Sequence, residues 1–433
     1  MVAPASGVGL PHEQHVLDNG LTVVMGPDPG TPLVSVQVMY RVGSRHEPPG
    51  ETGFAHLFEH LFFQGSAHVP AGGHFRYVQE TGGTPNGFTW HDCTSYYQTV
   101  PAGELDLALW LEADRMGFLE PALTDQALEV QRGVIRNERR ENYEAPPYGT
   151  AADALLATAF PAGHPYAHSP IGLAADLERA TLDDVRAFYR RWYGPNNAVL
   201  VLCGGFDPRA ALRRVEHWFG GLSPRPAPPA PPVPAARRAD ERRARMTDRV
   251  RLPRVYHLYP APAFAQPGYE AADVLSLLLA QGPGSVLHRD LVQRRGLAVD
   301  VAAYTVPTQA VGLLHLSATA RPGVPAEALA AGMDEAIGEF LSAGPDPDDA
   351  VRAVNQSRLA LLGQLNSVAR RSDALAHAAT LAGDPGYVNR AVARYAAVDR
   401  GELEALARRV LRREGRTVLH VVPGAAKSAP EPV

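Results

Sequence analysis

Between Phe54 and Phe62, apolar side chains recur at Phe54, Leu57, Phe58, Leu61 and Phe62, the i, i+3, i+4, i+7, i+8 rhythm of a helix with one buried stripe. Elsewhere the period shortens. His15 to Leu17 and Leu21 to Met25 flank Asp18-Asn19-Gly20, whose Asn-Gly step favours positive φ, and this predicts a hairpin. Leu33 to Val42 alternates as a strand should, and Thr94 to Val100 is rich in the Tyr and Thr that strands prefer. On residue types alone, Gly82 to Phe88 is turn-like. Helical spacing returns over about Glu104 to Leu119 and Thr124 to Tyr143.

A further helix and strand open with Thr181 as N-cap and Asp184 three residues on. They bury Val185, Phe188 and Trp192 and run into Ala198 to Leu202. The arrangement returns 218 residues later (399 − 181), with Asp399 for Thr181, Glu402 for Asp184, Leu403, Leu406 and Val410 for the apolar set, and Thr417 to Leu419 for the strand. Such self-similarity predicts an internal duplication. Between the copies, Ser223 to Pro234 is too proline-dense for regular structure and a charged run follows to Arg245, so the segment reads as a semi-rigid spacer rather than a ligand for a partner. The expected division is a domain over 1–222, a linker over 223–248 and a second domain over 249–433.

The face of the 54–62 helix away from its apolar stripe carries His56, Glu59 and His60. Two neutral imidazoles one helical turn apart can hold one Zn²⁺, which in a catalytic site takes a third protein ligand and leaves a position for water. Glu59, between them, is placed to take a proton from that water. The third ligand is sought on the 124–143 helix, where Gln131, Val134, Ile135 and Glu138 share one otherwise packed stripe. An acid there needs a partner. Glu138 is therefore the expected ligand, with Glu141 in reserve. Aligning Gly65-Ser66 with Gly284-Ser285 puts Leu275, Leu278 and Leu279 where the first copy has His56, Glu59 and His60, so the second copy should bind no metal. His68, His74, His91, His164 and His168 show no ligand spacing of their own.

Composition narrows the setting. A chain of 433 residues with 45% hydrophobic and 20% charged positions suits two globular domains, and a net charge of −5 argues against a nucleic-acid partner. Cys93 and Cys203, the only two cysteines, lie in apolar or strand-like runs and are expected as buried free thiols. Met1 to Leu10 lacks the basic and apolar regions of a secretory signal, and no run approaches the ~20 apolar residues of a membrane span, so no membrane association and a cytoplasmic location are expected.

Taken together, Gly53-Phe54-Ala55-His56-Leu57-Phe58-Glu59-His60-Leu61-Phe62-Phe63-Gln64-Gly65, Asn86-Gly87-Phe88-Thr89, Arg136-Asn137-Glu138-Arg139-Arg140, His164-Pro165-Tyr166 and Pro195-Asn196-Asn197 resemble the pitrilysin-type inverted zincins. The match is to their short two-chain branch, which contains mitochondrial processing peptidase and its bacterial relatives, and runs from about His15 to Val422. The resemblance implies an α+β fold of two homologous domains, each a mostly antiparallel sheet packed with helices, forming half of a clamshell around an unfolded peptide. It implies one zinc per chain on His56, His60 and Glu138, with Glu59 as general base. It also implies substrate binding at Asn86, Gly87 and Phe88, in the stretch leading into a peptide-binding edge strand.

Two departures qualify that picture. Gln131 stands where the family usually has a second acid, and Val292 and Val299 stand where active relatives carry an Arg and a Tyr that bind the substrate carbonyl. The expectation is therefore a zinc endopeptidase subunit in a heterodimer, its homologous non-zinc partner supplying the Arg/Tyr pair. The alternatives are a self-sufficient homodimer and a non-catalytic structural or assembly subunit of the same fold.

Overall fold

The computed structural model describes residues 9–226, 231–234 and 240–433, so part of the proline-rich spacer lies outside the described residues. Its first sheet contains β1 (Glu13–Val16), β2 (Thr22–Pro27), β3 (Leu33–Tyr40), β4 (Thr84–Thr89), β5 (Thr94–Pro101) and β6 (Ala198–Gly204). They run in the order β1-β2-β6-β3-β5-β4, antiparallel throughout except for the β2–β6 pair. The second sheet contains β7 (Arg242–Asp248), β8 (Arg254–Ala261), β9 (Ala298–Val306), β10 (Gly312–Ala320), β11 (Thr417–Pro423) and β12 (Glu431–Pro432). Its order, β12-β7-β11-β8-β10-β9, repeats the first, again with one parallel pair, β7–β11. Only the outermost strand differs, coming from the start of the first half and from the end of the second. The duplicated, clamshell-like α+β architecture is thus visible strand by strand.

Local signals placed the elements well. Gly20 has φ +84° in the β1–β2 turn, Thr181 and Asp184 form a reciprocal cap on the helix Leu182–Trp192, and Asp399 caps Arg400–Val410. Two readings change. The run up to residue 248 was expected to be linker, yet Arg242–Asp248 is β7, because its backbone pairs with β11 whatever the charge of its side chains. Gly82 to Phe88 was expected to be a turn, yet Thr84–Thr89 is the edge strand β4, pairing residue by residue with β5. Pro85 is tolerated there because an edge strand need not donate on its open side.

Each sheet packs its own half's helices on one face. In the first half, Leu57, Phe58, Leu61 and Phe62 pack with Tyr40, Tyr96, Phe188 and Tyr193, with the Phe62 and Tyr96 rings stacked at 4.6 Å. The other face of each sheet is covered by the opposite half. Val24, Met39, Val199 and Val201 of the first sheet pack against Leu375, Ala376, Tyr387 and Val388 from helices Val368–His377 and Tyr387–Ala397. Reciprocally, Leu258, Leu313, Leu419 and Val421 of the second sheet pack against Ala151, Ala154 and Leu155 of helix Ala151–Ala159, with Phe160 and Tyr166. Strands such as β6, which has no exposed residue, are apolar on both faces for this reason. Cys93 and Cys203 lie in this shared layer as free thiols. No described helix is long and apolar enough to cross a membrane.

Candidate metal centre

The metal helix, Phe54–Leu61, starts at Gly53, whose φ of +91° is reached most cheaply by glycine. A Cβ at Gly53 would also lie 2.8 Å from the Ile171 carbonyl oxygen. Two of the first free N–H groups of this turn, those of Gly53 and Ala55, donate to the buried Glu47 carboxylate at 2.8 Å each. Burial pushes the Glu47 pKa up against these two bonds. The result is a helix pinned at its N-terminus, with its apolar stripe in the core and His56, Glu59 and His60 on the other side.

Glu138 arrives from the helix Asp125–Arg139, capped by Thr124, whose side chain accepts from the Ala127 N–H. Its buried face is Leu128, Gln131 and Ile135, continuing to Glu138. Val134, expected on that stripe, is 42% exposed instead. Next to the ligand, Arg139 Nη1 donates to the Gly172 carbonyl at 2.7 Å. Gly172 in turn abuts Gly53, where a Cβ on Gly172 would lie 2.3 Å from the Gly53 nitrogen. One arginine therefore fastens the second helix to the loop that seats the first.

The outcome is a three-residue cluster. Glu138 Oε2 lies 3.5 Å from His56 Nε2 and 3.4 Å from His60 Nε2. The ligand atoms of all three residues fall within 4.8 Å of one another. A tetrahedral ion with bonds of about 2.1 Å has ligand–ligand edges of about 3.4 Å, so the residues fit Zn²⁺. Among the described residues this is the single such group. Glu141, the reserve ligand, is exposed and outside it.

Electrostatics suit the same use. Burial, reinforced by the neighbouring His60 and opposed by Glu138, lowers the His56 pKa to about 4, so this ring is neutral and its lone pair free. The hydrogen bond with His60, partly opposed by burial and aided by the Asn142 amide, holds the Glu138 carboxyl below its ordinary range, so it is ionised. His56 Nδ1 is buried without a hydrogen-bond partner in the protein. Glu59 is raised by burial, against the Thr89 hydroxyl, which donates to its Oε2 at 2.8 Å.

Thr89 belongs to β4, as do Asn86, Gly87 and Phe88. Gly87 faces the metal helix, and a Cβ there would come within 3.3 Å of Glu59 Cγ and of Phe63. Asn86 is exposed, and Phe88 stacks on His377 of the second half at 5.7 Å. The other histidines are occupied elsewhere: His68 with Asp114, His74 with Gln98, His91 with Ser44, His164 with the Pro234 carbonyl and His168 with the Ser169 carbonyl. Sequence reasoning missed Glu47, Thr89 and Arg139 as supports of the centre. Glu47 lies six and eight residues before its two donors, outside any capping spacing, so its part emerges only from the folded loop.

In the second half the helix Tyr269–Ala280 also starts from a left-handed glycine, Gly268, with φ +88°. Counting from the two caps, Ala271, Val274 and Leu275 correspond to His56, Glu59 and His60, a register four residues from the one expected. In either register every counterpart is apolar. A separate cavity of about 820 Å³, lined in part by His46, Glu47, Phe160 and Trp192, contains none of the three ligands.

A duplicated α+β fold carrying an H-x-x-E-H helix and a distant glutamate defines a zinc-peptidase architecture with one metal-binding half. The chain belongs to the M16 (pitrilysin/insulinase) family of zinc peptidases: residues 22–168 match Insulinase (Peptidase family M16) and residues 179–357 match Peptidase M16 inactive domain. It is 33% identical over 326 residues to the zinc protease PqqE of Helicobacter pylori, covering 73% of this chain and 72% of that protein. It is 28% identical to an uncharacterized zinc protease of Streptomyces coelicolor, covering 92% and 86%. A crystal structure of a protease from Helicobacter pylori matches with a TM-score of 0.89 at 26% identity, covering 95% of this chain and 99% of that one.

Proposed function

We propose that this chain is the zinc-bearing subunit of a metalloendopeptidase that cuts unfolded peptides. The observation that carries this is Glu138 Oε2 lying within 3.5 Å of Nε2 of both His56 and His60, with Glu59 on the same helix face. Zinc, when bound there, supplies a Lewis acid that makes an attacking water acidic enough to lose a proton near neutral pH. Glu59 accepts that proton, and its burial makes it the stronger base for doing so. Thr89 fixes which oxygen of Glu59 faces the water. As the peptide bond breaks, Glu59 returns the proton to the departing amine, so that water is divided between the carbonyl carbon and the nitrogen. The open edge of β4 pairs with the backbone of an extended substrate, passing it across the face that carries Gly87 and Thr89.

A second, homologous chain completes the site. Val292 packs partly into the second core and Val299 lies exposed on β9, and neither can donate to a developing oxyanion. The cations beside them are already engaged, Arg294 by Asp290 and Glu339, and Arg295 by Asp290, Glu335 and Glu339. The test is a quenched-peptide assay of the chain alone and mixed with a homologous chain carrying Arg and Tyr at the matching positions. Little turnover alone and strong turnover in the mixture is the expected outcome. Full turnover from the lone chain removes the need for a partner.

A further inference from the structure

The sequence contains a single lysine, Lys427, in the segment following β11. That segment is fastened along β7: the Gly424 N–H donates to the Asp248 carbonyl, the Ser428 N–H to the Thr247 carbonyl and the Val433 N–H to the Arg243 carbonyl. The Thr247 hydroxyl adds a bond to the Ala426 carbonyl. From this fixed base the Lys427 side chain, 18% exposed, crosses to the first half. Its Nζ donates to the Tyr143 carbonyl at 3.2 Å and to the Pro146 carbonyl at 3.1 Å, and lies 3.6 Å from buried Asp248.

The Tyr143 carbonyl lies in the turn that ends the element carrying Glu138, and the Pro146 carbonyl, which also accepts from the Gly149 N–H, lies just past it. The helix Asp125–Arg139 continues into a wider turn, Arg140–Glu144, whose last carbonyls have no helical partner. A cation there satisfies them and faces the negative end of the helix dipole. The same turn holds Asn142, four residues and so about one helical turn beyond Glu138, where its amide helps to keep that carboxyl ionised. The second half grips the following residues too, since the Tyr148 N–H donates to Asp248 at 2.8 Å and the Tyr148 hydroxyl to the Leu252 carbonyl at 2.7 Å.

We propose that Lys427 is a positioning residue for the metal centre: by holding the Tyr143 and Pro146 carbonyls it fixes the turn from which Asn142 orients Glu138. The half without metal ligands thereby sets the geometry of the half that has them. This rests on the zinc reading above.

The test measures zinc affinity by competition with a chelator, together with the melting temperature of the metal-free protein, for wild type, K427M, N142A and the double variant. Expected is a loss of affinity on the order of tenfold in K427M, as for other groups that orient a ligand. N142A should lose a similar amount and the double variant little more; metal-free melting should change little in N142A and fall in K427M, where buried Asp248 loses its cation. K427R, which keeps a donor to both carbonyls, should recover most of the affinity. If K427M does not fold, acetylation of folded wild type replaces it, with K427R as the control that has no lysine to modify, and only wild type should lose affinity. A wild type that holds no zinc overturns the proposed function and this inference together. A zinc-binding wild type matched by K427M or by its acetylated form, or additive losses in the double variant, overturns the inference alone.

Discussion

Thr89 Oγ1 donates to Glu59 Oε2 at 2.8 Å, joining the edge strand β4 to the carboxylate between the two histidines. A hydrogen bond to a charged group is worth about 1.5–3 kcal/mol, so its loss is felt as roughly tenfold or more in rate. Thr89→Val is therefore expected to lower kcat by about that factor with zinc content unchanged, while Thr89→Ser retains most of it. Steady-state kinetics with metal analysis on both variants check this. Equal rates in the valine variant would remove Thr89 from the account.

Gly87 leaves little room for a side chain. A Cβ would come 3.2 Å from the Ser95 carbonyl oxygen and 3.3 Å from Glu59 Cγ and Phe63, and a larger group would also stand on the face proposed to carry the substrate. Gly87→Val should bind zinc as wild type does yet lose most peptide hydrolysis, by about 100-fold given how steeply misplacement of reacting groups costs. Metal content and kcat/KM, measured together, separate the two effects.

The exchanged helices make the halves depend on one another. Leu375, 1% exposed, comes from the second half and packs with Val24, Met39, Val199 and Val201 of the first. Leu375→Ala should cost about 2–5 kcal/mol of stability, the usual range for a leucine removed from a core. Residues 1–222 expressed alone should lack cooperative unfolding and regain it when coexpressed with residues 223–433. Denaturant melts of the fragments, separately and together, test this.

Acid sensitivity should come partly from His257. Burial first, then the Arg416 charge, lowers its pKa to about 3, against about 6.5 in an unfolded chain. Below about pH 6.5 the unfolded chain takes up a proton that the folded chain refuses, so stability falls as pH drops, by about 1.4 kcal/mol per unit for this ring. Above that pH the ring contributes no slope. The variant His257→Gln should show a shallower decline between about pH 6.5 and pH 4, by up to that amount per unit. Urea melts across this range measure the difference in slope, and parallel curves would contradict it.

The metal helix is legible in the sequence because both its signals are local: a 3.6-residue apolar stripe and two histidines one turn apart. Glu138 is legible because it continues the buried stripe of its own helix, which the structure shows as Leu128, Gln131 and Ile135. β4 is not, since Pro85, Asn86 and Gly87 are turn-forming types and only pairing with β5 makes them a strand. The exchange of helices is hidden for a related reason. Leu375 and Ala376 announce a helix with an apolar face, but nothing local says that the face belongs to the other half's sheet. Long-range supports of the centre, Glu47 and Lys427 among them, share that limit.

Metal content is the most direct test of the central claim, that two imidazoles and one carboxylate from separate helices hold a single zinc. Elemental analysis of the purified chain and of Glu138→Ala after dialysis should find one zinc per wild-type chain and almost none in the variant. Zinc absent from wild type, or equally abundant in both, would contradict the account.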